Sequence, residues 1–253
     1  MLAYIVLGII QGITEFFPVS SSGHLLLAHR LLGLSGQEIA LTVVLHLGTL
    51  LAVVVFFFRD IVKAARDVKM TAYIVLVTAI TGAIAFAARG FLESLFSSLE
   101  VIIAAWFATG ILLFLTKRSM EHKRRALSLL DSIILGITQA IAIIPGVSRS
   151  GVTISTLLFR KLDVRTAFSF SFLVSIPAIL GAAVLEARKV GFALQGNMPN
   201  LAAGFFASLV AGLASLWLLK RVLAKARFYC FGFYCFGIAA VTLALIVFKV
   251  ITP

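Results

Sequence analysis

Two short stretches place polar, reactive side chains inside otherwise apolar sequence. Residues 7–24 read Leu-Gly-Ile-Ile-Gln-Gly-Ile-Thr-Glu-Phe-Phe-Pro-Val-Ser-Ser-Ser-Gly-His, and residues 135–152 read Leu-Gly-Ile-Thr-Gln-Ala-Ile-Ala-Ile-Ile-Pro-Gly-Val-Ser-Arg-Ser-Gly-Val. A shift of 128 residues lays the second over the first without a gap, with Leu, Gly, Ile, Gln, Ile, Val, Ser, Ser and Gly matching. The copies differ where chemistry would need them to: Glu15 faces Ile143, Ser21 faces Arg149 and His24 faces Val152. One half offers an acid and an imidazole, the other a guanidinium.

Among the acidic residues only Glu15 lies deep in an apolar stretch, and Arg149 is the one Lys or Arg in the same situation. An isolated charge near the bilayer centre costs roughly 2.5–3.5 kcal/mol or more, so each must face a polar cavity or a partner. Either the two form a structural ion pair joining the repeats or they belong to a site at the repeat interface, and the flanking residues favour the site. Gln11 and Glu15 are four apart and share a helical face, where an amide and a carboxylate could present oxygens to a divalent cation, Mg²⁺ or alternatively Ca²⁺. They are too few to hold Mg²⁺ alone, so water and a substrate phosphate would complete its shell. Ser20-Ser21-Ser22-Gly23 precedes a short helix expected from His24, and Ser148-Arg149-Ser150-Gly151 precedes one expected from Val152. Hydroxyls and free backbone N–H groups at helix starts bind anions, and a guanidinium can grip two phosphate oxygens. Together they describe a phosphate or pyrophosphate site. Serine runs are also common helix caps, but their occurrence in both repeats points beyond capping.

His24 follows Ser21 by three residues and Ser20 by four. That spacing allows a Ser–His pair in which the imidazole takes the hydroxyl proton, or a histidine acting itself as nucleophile or acid. A lone histidine in apolar sequence is more often a packed, hydrogen-bonded residue; here the serines favour function. For His46, within the first long apolar run, structural and functional readings stay balanced.

The elements that must position these residues are membrane helices. With 61% hydrophobic and 13% charged residues over 253 positions, and a mean hydropathy of +1.12, the chain has too little polar surface for a soluble globule and reads as a polytopic membrane protein. The net charge of +12 sits in short clusters between apolar segments, as the positive-inside rule expects of cytoplasmic loops, and excludes nucleic acid as the partner. No Lys or Arg precedes Arg30, so the N-terminus lacks the basic flank of a signal peptide and is expected to be retained. Cys230 and Cys235 fall on different faces of one apolar helix and read as lipid-facing or packing residues.

After the first motif and an amphipathic tail to Leu34, apolar runs follow at about 39–58, 72–88 and 96–116, then the most basic loop at 117–125. The second motif precedes runs at about 164–185, 201–219 and 228–250. The shift of 128 residues carries the first three runs onto the last three. Pro18 and the serines interrupt the first motif, and Pro145-Gly146 and Ser-Arg-Ser-Gly the second. Each arm is then about 11 residues, ~16 Å of helix and half the hydrocarbon thickness, so the motifs read as re-entrant helix pairs with tips near the midplane. With that topology sixteen Lys and Arg lie on one side and five on the other; a second motif crossing as a single span would give twelve against nine. The asymmetry favours re-entrance and puts both termini outside the cytoplasm. The expected fold is all-α: one membrane domain over 1–253, with internal repeats at about 1–125 and 129–253, each a re-entrant pair plus three transmembrane helices, the two inverted.

At these residues the chain resembles the undecaprenyl-pyrophosphate phosphatase family of the bacitracin-resistance type, over essentially its whole length. The segments that carry the resemblance are Gln11-Gly-Ile-Thr-Glu15-Phe-Phe-Pro-Val-Ser-Ser-Ser-Gly-His24, His46-Leu-Gly-Thr49 and Pro145-Gly-Val-Ser-Arg-Ser-Gly-Val-Thr153. The resemblance implies a plasma-membrane enzyme that removes the terminal phosphate of a C55 isoprenyl pyrophosphate, regenerating the monophosphate carrier for cell-envelope glycan synthesis. It assigns the metal-linked acidic motif to Gln11 and Glu15, and phosphate binding to Arg149 with Ser148 and Ser150. Ser20, Ser22, Gly23, Gly151 and Thr153 are then further substrate-binding candidates, and catalysis belongs to the Ser21 and His24 region. Position 11 is Glu in many members and Gln here, which leaves Glu15 as the principal cation ligand. Ser21, His24 and water all stay open as nucleophile. The implied partners are the polyprenyl lipid and the membrane, with a homodimer a possible assembly. A lipid-phosphate flippase or anion transporter would use inverted repeats equally well. The acid-phosphatase-like lipid phosphatases are disfavoured, because their upstream Lys…Arg-Pro element and their second His after Ser-Arg are both missing.

Overall fold

In lipid, backbone polar groups must be satisfied within the segment, which leaves a chain this apolar little choice but helix. The computed structural model describes residues 1–32, 38–95, 98–120, 124–189 and 197–251. Among the described residues the chain forms α1 (Leu2–Thr14), α2 (Ser21–Leu32), α3 (Glu38–Phe56), α4 (Phe58–Arg66), α5 (Val68–Ala87) and α6 (Arg89–Leu95). It continues with α7 (Leu99–Leu115), α8 (Leu129–Ile141), α9 (Arg149–Phe159), α10 (Val164–Lys189), α11 (Met198–Ala224) and α12 (Phe231–Val247), and no strand is found there.

Helices α5, α7, α10, α11 and α12, with α7 and α12 each extended by an adjoining 3-10 turn and α10 trimmed at its end, are long and apolar enough to cross a membrane. Helices α3 and α4 meet that test together, bent by 72° at Phe57. These six units coincide with the six apolar runs, so the protein is a multi-pass helical membrane protein. The ends expected at Leu34 and Phe96, and part of the basic loop at 121–123, lie outside the described residues. Helices α1, α2, α8 and α9 hold 13, 12, 13 and 11 residues. At 1.5 Å per residue each is about 20 Å or less, short of a ~30 Å hydrocarbon core.

The motif helices start three residues earlier than expected. Helix α2 begins at Ser21 and α9 at Arg149, so the serines form the first turn instead of preceding it. Ser148 is the N-cap of α9, its hydroxyl accepting from the Gly151 N–H at 3.1 Å, and the Ser20 hydroxyl accepts from the Gly23 N–H at 3.4 Å. Backbone donors expected to wait for an anion are thus partly taken by the caps. The second break needs a glycine: Gly146 has φ +87°, and a Cβ there would meet Ile102 Cα and Ala105 Cβ of α7 at 2.8 Å.

Helices from the first and second halves of the chain pack against one another. Helix α1 packs on α11 of the other half, and α8 packs on α5, while α3 contacts both α10 and α11 and α7 pairs with α12. Small residues permit the first contact: a Cβ on Gly8 would meet the Gly204 carbonyl oxygen at 2.5 Å, and one on Gly12 the Ser208 carbonyl oxygen at 2.6 Å. Backbones this close gain dispersion contacts that larger side chains would forbid. The two breaks also bond to each other. The Gly146 N–H donates to Ser22 Oγ at 3.3 Å and the Ser150 hydroxyl to the Phe17 carbonyl at 3.2 Å. Trp106 of α7, fully buried, donates its indole N–H to the Val19 carbonyl at 2.8 Å and holds the first break from behind.

A buried acid anchors the second motif at its basic end. Asp131, with no exposed surface, accepts from both Arg124 nitrogens at 2.8 and 3.0 Å, from Arg160 Nε at 2.8 Å and from the Ser128 N–H and hydroxyl at 2.9 and 2.7 Å. Burial pushes its carboxyl upward, but the hydrogen bonds from Arg124, Arg160 and Ser128 outweigh it and hold the group well below the usual carboxylate range.

Candidate active site

The break after α1 and the N-terminus of α9 bring three of the expected site residues into direct contact. Arg149 Nη2 donates to Glu15 Oε1 at 2.6 Å and the Ser21 hydroxyl donates to Glu15 Oε2 at 2.6 Å. Glu15 stands one residue past the end of α1, Ser21 and Arg149 each open a helix, and the inter-break hydrogen bonds fix the distance between them. The ion pair across the repeats is therefore real, and it borders an open cavity of about 380 Å³. Glu15, Ser20, Ser21, Ser22, Ser148 and Arg149 all line that cavity. Arg149 Nη1 is buried without a hydrogen-bond partner among the described residues. It is a charged donor beside the cavity that a phosphate oxygen would satisfy.

Other expected residues stand behind this wall. Ser150, fully buried, reaches the Ser148 hydroxyl at 3.2 Å as well as Phe17. Thr153, also fully buried, donates to the Arg149 carbonyl at 2.8 Å and meets Ser171 Oγ at 2.6 Å. Gly151 supplies the capped N–H, and Gly23 lies against the Trp106 ring, where a Cβ would come within 2.7 Å. These residues support the loop geometry.

His24 forms no pair with Ser21. Its Nδ1 lies 2.7 Å from the Ser20 carbonyl and its Nε2 2.8 Å from the Tyr234 hydroxyl. The ring stacks on Tyr234 and meets Trp106 edge-on. A helix starting at Ser21 turns His24 toward α7 and α12, so the proton route expected from the spacing is not built. His46 takes the place beside the acid instead: Nε2 is 3.9 Å from Glu15 Oε2, and Nδ1 is 2.8 Å from the Thr42 carbonyl. A carbonyl only accepts, so Nδ1 carries the proton and Nε2 is directed at the site.

Gln11 and Glu15 do not present two oxygens side by side. A carboxylate can only accept, so the Gln11 amide turns its nitrogen to Glu15 Oε2 at 3.1 Å. Gln11 Oε1 is left buried and unpartnered among the described residues, on a side chain with no exposed surface. With both Glu15 oxygens engaged, the pair expected to hold a cation does not fit one as it stands. Gln139, Thr81, His46 and Glu186 also line the cavity. Of these, Gln139 had a visible signal, since it is the repeat counterpart of Gln11. Glu186, at the end of an apolar run, gave none.

The fold and site define a multi-pass helical membrane protein in which one acid holds a serine hydroxyl and a guanidinium at the border of a cavity. The family described as Bacitracin resistance protein BacA matches residues 4–241. Curated proteins named Undecaprenyl-diphosphatase resemble the chain closely. That of Syntrophotalea carbinolica is 38% identical over 241 residues, covering 90% of this chain and 92% of its own length. That of Methanobrevibacter smithii is 39% identical over 256 residues, covering 89% and 92%, and that of Thermotoga petrophila 39% over 221 residues, covering 86% and 89%. The chain belongs to the BacA family.

Proposed function

We propose that the protein is an undecaprenyl-diphosphatase, releasing the terminal phosphate of a membrane-bound polyprenyl pyrophosphate and leaving the lipid monophosphate. The observation that carries the mechanism is the 2.6 Å hydrogen bond from the Ser21 hydroxyl to Glu15, with Arg149 on the other carboxylate oxygen at 2.6 Å. In this reading the pyrophosphate enters between the two breaks and draws Arg149 toward its own oxygens. Glu15, relieved of its cation, becomes a stronger base for the Ser21 proton. Ser21 Oγ bonds to the terminal phosphorus, the bridging P–O bond breaks, and the lipid monophosphate departs while Glu15 holds the proton. Water then breaks the Oγ–P bond, Glu15 returns the proton to Ser21, and dihydrogen phosphate leaves. Arg149 and the serine donors offset charge on the transferring group, the largest contribution available to phosphoryl transfer.

The architecture proposed for this chemistry is a pair of inverted repeats with re-entrant motif pairs. The exchange of α1 onto α11 and α8 onto α5 supports it, as do the short motif helices. The cavity is bordered by Thr42 and His46 from the start of α3 and by Ala178, Ala182 and Glu186 from the end of α10. The basic loops follow α3 and precede α10, so the cavity opens away from them. By the positive-inside rule that is the extracytoplasmic side, where phosphate would leave and both termini would lie.

Rapid acid quenching of protein mixed with substrate radiolabelled at the terminal phosphorus tests the serine step. Label should remain on the wild-type protein and be absent from Ser21→Ala, whose phosphate release falls at least about 100-fold. Full turnover by Ser21→Ala would eliminate the serine route.

A further inference from the structure

Helix α4 carries two faces that the phosphatase reading leaves unused. Helix α3 holds 19 residues, about 28 Å at 1.5 Å per residue, and so nearly fills a ~30 Å hydrocarbon core by itself. A helix leaving that span at 72° runs close to the membrane surface. On α4, Arg59, Lys63 and Arg66 follow an i, i+4, i+7 spacing, so they share one stripe, and all three are exposed. Phe58, Val62 and Ala65 repeat the spacing one residue earlier, which sets an apolar stripe about 100° round the helix. Phe58 at its head is 61% exposed. The remaining face holds α4 to the protein: Ala64 is buried, Ile61 packs on the main core, and the Thr71 hydroxyl donates to the Ala64 carbonyl at 2.8 Å.

The basic stripe has no carboxylate partner among the described residues. Asp67 uses Oδ1 to cap α5, accepting from the Lys69 and Met70 N–H groups at 2.9 and 3.1 Å. Asp60 stands about 100° off the stripe and lines a separate cavity with Arg125 and Arg165. Several other cations of the basic loops are engaged: Arg124 and Arg160 hold Asp131, Arg125 lies 3.7 Å from Asp163, and Arg221 covers the Trp217 ring at 3.4 Å. Three like charges within two turns repel one another unless anions offset them.

We infer that α4 is an interfacial helix that docks on anionic phospholipid headgroups of the leaflet at the basic end of the molecule. Arg59, Lys63 and Arg66 meet the lipid phosphates, while Phe58, Val62 and Ala65 lie against the acyl chains. In the orientation proposed above this is the cytoplasmic leaflet. An acidic protein segment would match the basic stripe and leave the apolar one uncovered; a phospholipid matches both.

The test is quenching of a fluorophore on Ala65→Cys, in the full chain lacking Cys230 and Cys235 and reconstituted in vesicles. The quencher is a doxyl label on either phosphatidylglycerol or phosphatidylcholine at equal mole fraction. Labelled phosphatidylglycerol should quench at least about twofold better. Arg59→Gln, Lys63→Gln and Arg66→Gln together should bring the two lipids level, and Lys220→Gln, Lys225→Gln and Arg227→Gln together should leave the preference intact. The protein with its basic stripe unchanged should lose the preference as salt rises to ~1 M, where the Debye length falls to about 3 Å, a readout that stands even if a variant fails to fold. Equal quenching by the two lipids at low salt overturns the docking surface, as does quenching by neither. A preference that survives the α4 variant or high salt overturns it too, as does one lost equally in the variant remote from α4. No substrate is present, so a protein that shows the preference and releases no phosphate would keep the docking surface and overturn the phosphatase reading.

Discussion

Ser21 pairs with Glu15 and not with His24. Ser21 lies between them in sequence, yet its hydroxyl points to the carboxylate six residues back and not to the imidazole three residues on. The cause is the helix start at Ser21, which rotates His24 into the aromatic contact with Trp106 and Tyr234. Tyr234→Phe removes one neutral hydrogen bond to His24 and should cost about 0.5–1.5 kcal/mol of stability, read as a lower thermal midpoint in detergent. Its phosphate release should stay within a few-fold of wild type; a fall beyond about 100-fold would return His24 to the proton path. Glu15, Ser21 and Arg149 were readable as residues because charge and hydroxyls stand out against apolar sequence. Their pairing was not, because it depends on where a helix begins, and a run of three serines allows several starts.

At the scale of elements, the six long helices were evident from hydropathy alone, since each apolar run had to become a satisfied helix. The bend between α3 and α4 and the burial of Asp131 and Ser132 in the first turn of α8 were not, because both depend on contacts made after the helices form. Asp131 illustrates this: it looks like an ordinary loop acid, and only the arrival of Arg124 and Arg160 from outside α8 makes it a buried anchor. Its depressed carboxyl gives the linkage a definite sign. The unfolded chain binds the proton first, so the stability Asp131 contributes is complete above the ordinary value near pH 4 and is lost as pH falls toward the depressed one. Asp131→Asn should therefore unfold more easily than wild type at neutral pH, by about 2 kcal/mol because both arginines remain partly in solvent. Thermal midpoints measured down the acid range should converge. A gap that persists unchanged at the lowest pH would show that the charge is not what Asp131 contributes.

For the whole molecule, the recurrence of one polar motif at a spacing of 128 residues was visible in the sequence. How the halves embrace was not visible, since the exchange of α1 onto α11 and α8 onto α5 is a matter of small-residue packing between distant segments. The proposed orientation predicts labelling by a membrane-impermeant thiol reagent. In a chain lacking Cys230 and Cys235, a cysteine at Asn197 should react in intact cells and one at Ser119 only after lysis; labelling of Ser119 from outside would reverse the orientation. The central claim is that the two motif breaks together form a phosphatase site, which neither could form alone. It is tested most directly by inorganic phosphate release from a long-chain isoprenyl pyrophosphate and Mg²⁺ by purified protein. Wild type should release phosphate with turnover, and Arg149→Ala should lose at least about 100-fold in kcat/KM. Release no greater from wild type than from Arg149→Ala would contradict the claim and favour a protein that only binds or moves the lipid.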